Sequence, residues 1–173
     1  MGQLSHYETH FKTRKFPITV VCDHVNKAPN IGSLFRICEA FGVETLYFCG
    51  NDIPIGRRMT KTSRATEKLV HYQVEESIED IISVLKPTHY LIALEITTSS
   101  KPLHQIKLEA SKPIALILGD ENYGISEAVL KEVDDIFHID MFGTNSSMNV
   151  VQAASIALYE LTKQLNETAS NQN

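Results

Sequence analysis

Residues 18–49, ITVVCDHVNKAPNIGSLFRICEAFGVETLYFC, decide the fold class. The run Ile18–Val25 is short and dominated by β-branched residues, which predicts a buried strand. Pro29 and Asn30 punctuate it, and Asn30 is an expected N-cap for a helix over Ile31–Phe41, closed by Gly42. Thr45–Cys49 reads as a second strand. Strand, helix and strand within about thirty residues make a βαβ unit, which implies a parallel sheet. At about 100° per residue, Ile31, Leu34, Phe35, Cys38 and Phe41 share one helix face, and Arg36 points the opposite way.

Further along, EESIEDIISVL (75–85) predicts an amphipathic helix with acids in its first turn, where the helix dipole favours them, and Pro87 ends it. Tyr90–Ile96 and Ile114–Leu118 read as third and fourth strands, the latter continuously apolar as a strand covered on both faces is. A short helix is expected over Ser126–Lys131 and a last strand over Ile136–Ile139. Val151, Ala154, Leu158, Leu161 and Leu165 then recur at steps of three and four, the seam of a long helix. The loop before it, Gly143–Ser147, is richer in Ser and Asn than a helix cap requires, and this surplus suggests a site. The expected organisation is one α/β domain over 17–165, a polar extension over 1–16 and a disordered tail over 166–173.

The chain of 173 residues is 43% hydrophobic and 21% charged, an ordinary soluble composition. No apolar run approaches the ~20 residues that cross a bilayer, and the N-terminus has no secretory apolar core. Cys22, Cys38 and Cys49 are odd in number and unpaired in spacing, so buried reduced thiols in a cytoplasmic protein are expected. The histidines lack metal-site spacing, and no metal is expected. A net charge of −5 argues against nucleic-acid binding through bulk charge. Residues 53–73 break that trend. Arg57, Arg58, Lys61, Arg64 and Lys68 stand there against Glu67 alone, interleaved with Thr60, Thr62, Ser63 and Thr66. Such donors suit phosphate oxygens, with an ordinary solvated loop as the alternative. Lys12, Arg14 and Lys15 read as part of a frayed terminus, with a basic arm reaching a phosphate as the alternative.

In open parallel sheets ligands collect beyond the carboxyl ends of strands. The polar loops 26–30, 119–124 and 140–147 are placed there. No G-x-G-x-x-G, Walker A or G-x-S-x-G sequence occurs, which disfavours dinucleotide, nucleoside-triphosphate and α/β-hydrolase readings. Taken together, NIGSLFR (30–36), LGDENYGIS (118–126), and IDM (139–141) followed by SMNV (147–150) resemble the three motifs of the SpoU (TrmH-like) RNA ribose 2′-O-methyltransferases of the SPOUT superfamily.

That resemblance implies an α/β parallel sheet flanked by helices with a C-terminal trefoil knot, S-adenosyl-L-methionine as cofactor, and a homodimer with composite active sites. It carries Arg36, Glu121, Ser147 and Asn149 over as catalytic positions. Leu118, Gly119, Ile139, Ser147 and Met148 become cofactor-binding positions, and Asn30 orders the first motif. With Arg57, Arg58, Lys61 and Arg64, Asn30 also forms the expected RNA-binding set. Met148 stands where the family has Leu, a volume-conserving exchange. Val151 replaces a small polar residue. The expected activity is methyl transfer to a ribose 2′-hydroxyl in RNA. The short N-terminal extension favours a compact substrate such as tRNA, with ribosomal RNA, or non-catalytic RNA binding on the same scaffold, as the alternatives.

Overall fold

The computed structural model describes residues 2, 11–108, 112–145 and 147–170. Seven strands form one fully parallel sheet in the order β3-β2-β1-β6-β4-β7-β5. They are β1 (Phe16–Asp23), β2 (Val43–Cys49), β3 (His71–Glu75), β4 (Tyr90–Leu94), β5 (Lys101–Pro102), β6 (Ile114–Leu118) and β7 (Asp135–His138). The helices are α1 (Ala28–Ala40), α2 (Arg57–Ser63), α3 (Ile78–Leu85), α4 (Glu127–Leu130) and α5 (Val150–Ser170), with single 3-10 turns at Thr66–Lys68 and Leu103–Gln105.

Alternation along the central strands divides the core into two layers. Val20, Cys22, Ile92, Leu116 and Leu118 face α1 and α5, whereas Val21, Leu91, Ala93, Ala115 and Ile117 face α3 and α4. Both faces are therefore covered, which is why β1 and β6 read as unbroken apolar runs. Phe35 of α1 anchors the first layer, its ring 5.4 Å from that of Phe48 and 4.9 Å from that of Tyr72. Truncating such a residue to Ala costs about 3–5 kcal/mol. Helix α2 sits hard against α1: a Cβ on Gly32 would lie 2.5 Å from the Met59 carbonyl oxygen.

The long helix forms as its seam predicts. Ala154, Leu158 and Leu161 are fully buried, and Val151 and Leu165 pack half-buried beside them. It also runs further than expected. Residues 166–170 belong to α5 rather than to a disordered tail, and Asn166 accepts a 2.6 Å hydrogen bond from Arg14.

Three other expectations change. Helix α1 begins earlier, with Lys27 at the N-cap and Pro29 in the first turn, so Asn30 lies inside the helix and its side chain is free for other work. Glu75 ends the edge strand β3 instead of opening a helix; Ser77 caps α3 by accepting from the Asp80 N–H at 3.1 Å. Edge exposure leaves β3 without an apolar run, and β5 is only two residues long, so neither carries a strand signature. The basic window, finally, is ordered as α2 and a 3-10 turn.

From β1 the chain winds toward β2 through α1 on one face of the sheet. From β6 it winds toward β7 through α4 on the other. The strands β1 and β6 are neighbours, so their carboxyl ends open a crevice at the point where winding direction reverses.

Candidate active site

A hydrogen-bonded chain of side chains fills that crevice. The Asn30 amide, freed from capping, donates to Glu121 Oε1. Its carbonyl oxygen accepts from Asn149 Nδ2 at 3.2 Å, and Asn149 Oδ1 accepts from the Val151 N–H at 2.8 Å. The first turn of α1 and the loops after β6 and β7 are thereby locked together at the start of α5. The Glu121 side chain is only 11% exposed, and Lys27 Nζ lies 3.4 Å from its Oε2. That oxygen accepts no hydrogen bond, so the ammonium compensates its charge as an ion pair alone. A carboxylate so buried is strongly destabilising once its partners are removed.

The Glu121 loop is itself tightly wound. Asp120 Oδ1 accepts from the N–H groups of Asn122 at 2.7 Å and Tyr123 at 3.0 Å, and the Asp120 carbonyl accepts from Gly124 at 2.9 Å. A Cβ on Gly119 would lie 2.4 Å from the Gly124 carbonyl carbon, so only glycine permits the closure.

Behind the junction lies a cavity of about 480 Å³. Leu118, Gly119, Ser147 and Met148 line it, with Glu95, Thr97 and Leu130 on the far wall. A smaller cavity of about 120 Å³ shares Glu95, Ser147 and Met148 and adds Ile139 and His138. Four of the five positions expected to hold the cofactor thus line the larger cavity, and the fifth, Ile139, lines the smaller one, which shares Ser147 and Met148 with it. The larger cavity's size suits a nucleoside-sized ligand, and residues 118–125 contribute a continuous stretch of its lining. Ser146, in the same polar loop, lies outside the described residues.

The other expected site residues stand apart. Arg36 is exposed on the outer face of α1 and has no partner among the described residues; it is not joined to Glu121, Ser147 or Asn149. Arg57, Arg58, Lys61, Arg64 and Lys68 are all exposed on and after α2, and none pairs with a carboxylate among the described residues. Arg64 and Ala65 both adopt left-handed backbone, at φ 53° and 69°, a strained turn that ends α2 and presents its basic face. Glu67, the one acid there, is occupied by the Ser63 hydroxyl, which with the neighbouring Lys68 holds its carboxyl below the usual range.

Two contributors escaped the sequence reading. Lys27 sits in a loop marked as a ligand loop, but its partner is distant in sequence. Glu95 directly follows a strand and bears no motif. Burial pushes the Cys38 thiol up to about 12, so it is inert packing. Among the described residues no cluster of His, Cys, Asp or Glu could hold a metal, and no helix is long and apolar enough to cross a membrane.

Comparison with known proteins places this arrangement. Residues 17–159 match the SpoU rRNA Methylase family. The tRNA (guanosine(18)-2′-O)-methyltransferase of Thermus thermophilus is 28% identical over 156 residues, which are 88% of this chain and 78% of that protein. The crystal structure of the A. aeolicus TrmH/SpoU tRNA modifying enzyme superposes with a TM-score of 0.80 at 24% identity, covering 90% of this chain and 79% of that one. The SpoU methyltransferase AviRb from Streptomyces viridochromogenes, in complex with the cofactor AdoMet, superposes at 0.79 with 22% identity, covering 90% of this chain and 63% of that one. The chain belongs to the SpoU family, and is accordingly an RNA ribose 2′-O-methyltransferase that uses S-adenosyl-L-methionine.

Proposed function

We propose that this enzyme methylates a ribose 2′-hydroxyl in tRNA, and that the crevice between β1 and β6 is where the reaction occurs. The observation that carries the site is the bonded chain from Asn149 through Asn30 to Glu121, which ties the start of α1 and two separate loops into one polar wall beside the cavity. The bound cofactor supplies an electrophilic methyl group. The chain's residues must then hold the hydroxyl in line and ease loss of its proton, and positioning alone supplies up to ~7–11 kcal/mol in well-oriented cases. Leu118, Gly119, Ile139, Ser147 and Met148 hold the cofactor, largely through backbone groups. Ser147 and Asn149 face the acceptor ribose.

Arg36 supplies the remaining function. A guanidinium stays protonated, with a pKa above about 12, so it orients the hydroxyl, holds the adjacent phosphate and stabilises developing oxyanion rather than acting as a free base. Exposed and unbonded to the junction within one chain, it suits a site completed by a second copy. The surface for that copy is on α5 and its surroundings. Phe142 (98% exposed), Tyr159 (62%) and Ile156 (43%) are apolar residues left open beside a groove of about 310 Å³ that Leu103 and Ile139 also line. A homodimer would cover them.

A C-terminal knot accounts for the same geometry. The chain leaves β7 near one edge of the sheet, and Asn149, just ahead of α5, bonds to Asn30 beyond β6. To get there it passes the ends of β4 and β6, where the two cavities share Glu95 and Met148. Threading beneath the 95–100 loop makes that path.

Arg57, Arg58, Lys61 and Arg64 grip phosphates, and Asn30 orders the wall against which the ribose rests. The named relatives that act on guanosine 18 of tRNA support tRNA over ribosomal RNA, and a cytoplasmic location follows from that substrate. Incubation with labelled cofactor and, separately, bulk tRNA and ribosomal RNA tests this reading. Label is expected in tRNA; label confined to ribosomal RNA would overturn the substrate assignment.

A further inference from the structure

Glu95 is a carboxylate in the cofactor cavity with no cationic partner among the described residues. It follows β4 directly, and its own N–H donates to the Phe137 carbonyl at 2.9 Å, which fixes its backbone between β4 and β7. Oε1 accepts from the Ile96 N–H at 2.9 Å, and Oε2 accepts from the Ile125 N–H at 3.0 Å. The second bond crosses to the loop that carries Glu121. Gly124 makes room for it: a Cβ there would lie 2.4 Å from Oε2, and the residue holds φ +67°. The side chain is therefore held by three separate features of the backbone. Each carboxylate oxygen can accept about two hydrogen bonds, and one on each is taken. Glu95 lines both the larger and the smaller cavity, so its spare acceptor capacity is available to their common space.

We propose that Glu95 is a cofactor-specificity residue, accepting hydrogen bonds from the vicinal ribose hydroxyls of the cofactor's adenosine. This rests on the cavity being the cofactor pocket. The chemistry favours hydroxyls. A carboxylate has two adjacent oxygens that match a vicinal diol, and an acidic side chain just beyond a parallel strand serves this purpose in dinucleotide-binding sheets. The two backbone bonds pre-orient it, so little side-chain freedom is lost when the ligand binds.

Calorimetric binding to the intact protein tests this with S-adenosylhomocysteine, S-adenosylmethionine and the 2′-deoxy and 3′-deoxy forms of S-adenosylhomocysteine. A charge-assisted hydrogen bond is strong, so the wild type is expected to bind at least one deoxy form roughly tenfold more weakly than its parent. Glu95→Gln is expected to weaken both parent ligands by a similar factor and to erase the difference between parent and deoxy forms, so that the double-mutant cycle returns a coupling equal to the whole wild-type discrimination. Wild-type affinity blind to both hydroxyls would overturn the proposal without any variant. Loss of S-adenosylmethionine affinity alone would overturn it too, because the carboxylate would then be reading the sulfonium charge. Wild-type protein that binds no parent ligand would remove the cofactor-pocket reading as well, a failure distinguishable from the other two.

Discussion

The polar junction in the crevice and the basic helix α2 are opposite solutions to placing charge on a protein. At the junction, Glu121 is nearly buried, and its charge is met within the chain by the Asn30 amide on one oxygen and the Lys27 ammonium beside the other, with Asn149 holding Asn30 in place. On α2 and the turn after it, five cations stand exposed with no carboxylate partner among the described residues, and the one nearby acid is occupied by a hydroxyl. The first arrangement is assembled before any ligand arrives, as sites of chemistry need to be. The second is a surface whose partner comes from outside, and its energetics belong to salt and phosphate.

That contrast can be broken in several places. Arg36→Ala should remove the most, lowering methyl transfer by on the order of 10²–10³-fold or more as loss of a charge-stabilising donor does, while cofactor affinity measured by calorimetry stays near wild type. Cofactor affinity lost alongside activity, with the oligomer intact, would move Arg36 out of the assigned role. Gly119→Ala comes next. Its new Cβ meets backbone at 2.4 Å, so the loop must shift, and cofactor binding should weaken by roughly tenfold to a hundredfold. An unchanged dissociation constant would show that the loop backbone does not contact the cofactor.

Replacing Arg57 and Arg58 together by Ala should act on the other region only. RNA affinity should fall by about tenfold near physiological salt, and the slope of log affinity against log salt should flatten by about two units, with single-turnover methylation at saturating RNA close to wild type. An unaltered slope would return α2 to being a solvated surface. The smallest effect is expected from Ser63→Ala. The Ser63 hydroxyl holds the Glu67 carboxyl below its ordinary value, so their bond stabilises the fold at neutral pH and its contribution is lost as pH falls through the lowered pKa. The variant should therefore show a slightly shallower loss of thermal stability on acidification. A curve parallel to wild type across the acid range would count against the bond.

Much of this was legible in the sequence because apolar patterning reports burial directly. The strands β1 and β6 and the seam of α5 are buried on the faces their patterns give. The edge strands β3 and β5 were not legible, since exposed or two-residue strands bury too little to leave a signature. Asn30 reads locally as a cap, yet its side chain bonds to Glu121 and Asn149; local propensity could not reveal partners contributed by distant loops. The same holds for Lys27 and Glu95, whose positions became meaningful only when β1, β4 and β6 came side by side. Disorder over 166–173 was read from polarity, but Asn166 bonds to Arg14 and the helix continues to Ser170, while 171–173 lie outside the described residues.

The most direct test of the account is nucleoside analysis of tRNA after incubation with the wild-type protein and labelled S-adenosyl-L-methionine, beside the same reaction with Arg36→Ala. Label is expected in a single ribose 2′-O-methylated nucleoside, absent from the variant reaction. Label on a base, or equal labelling by the two proteins, would contradict it.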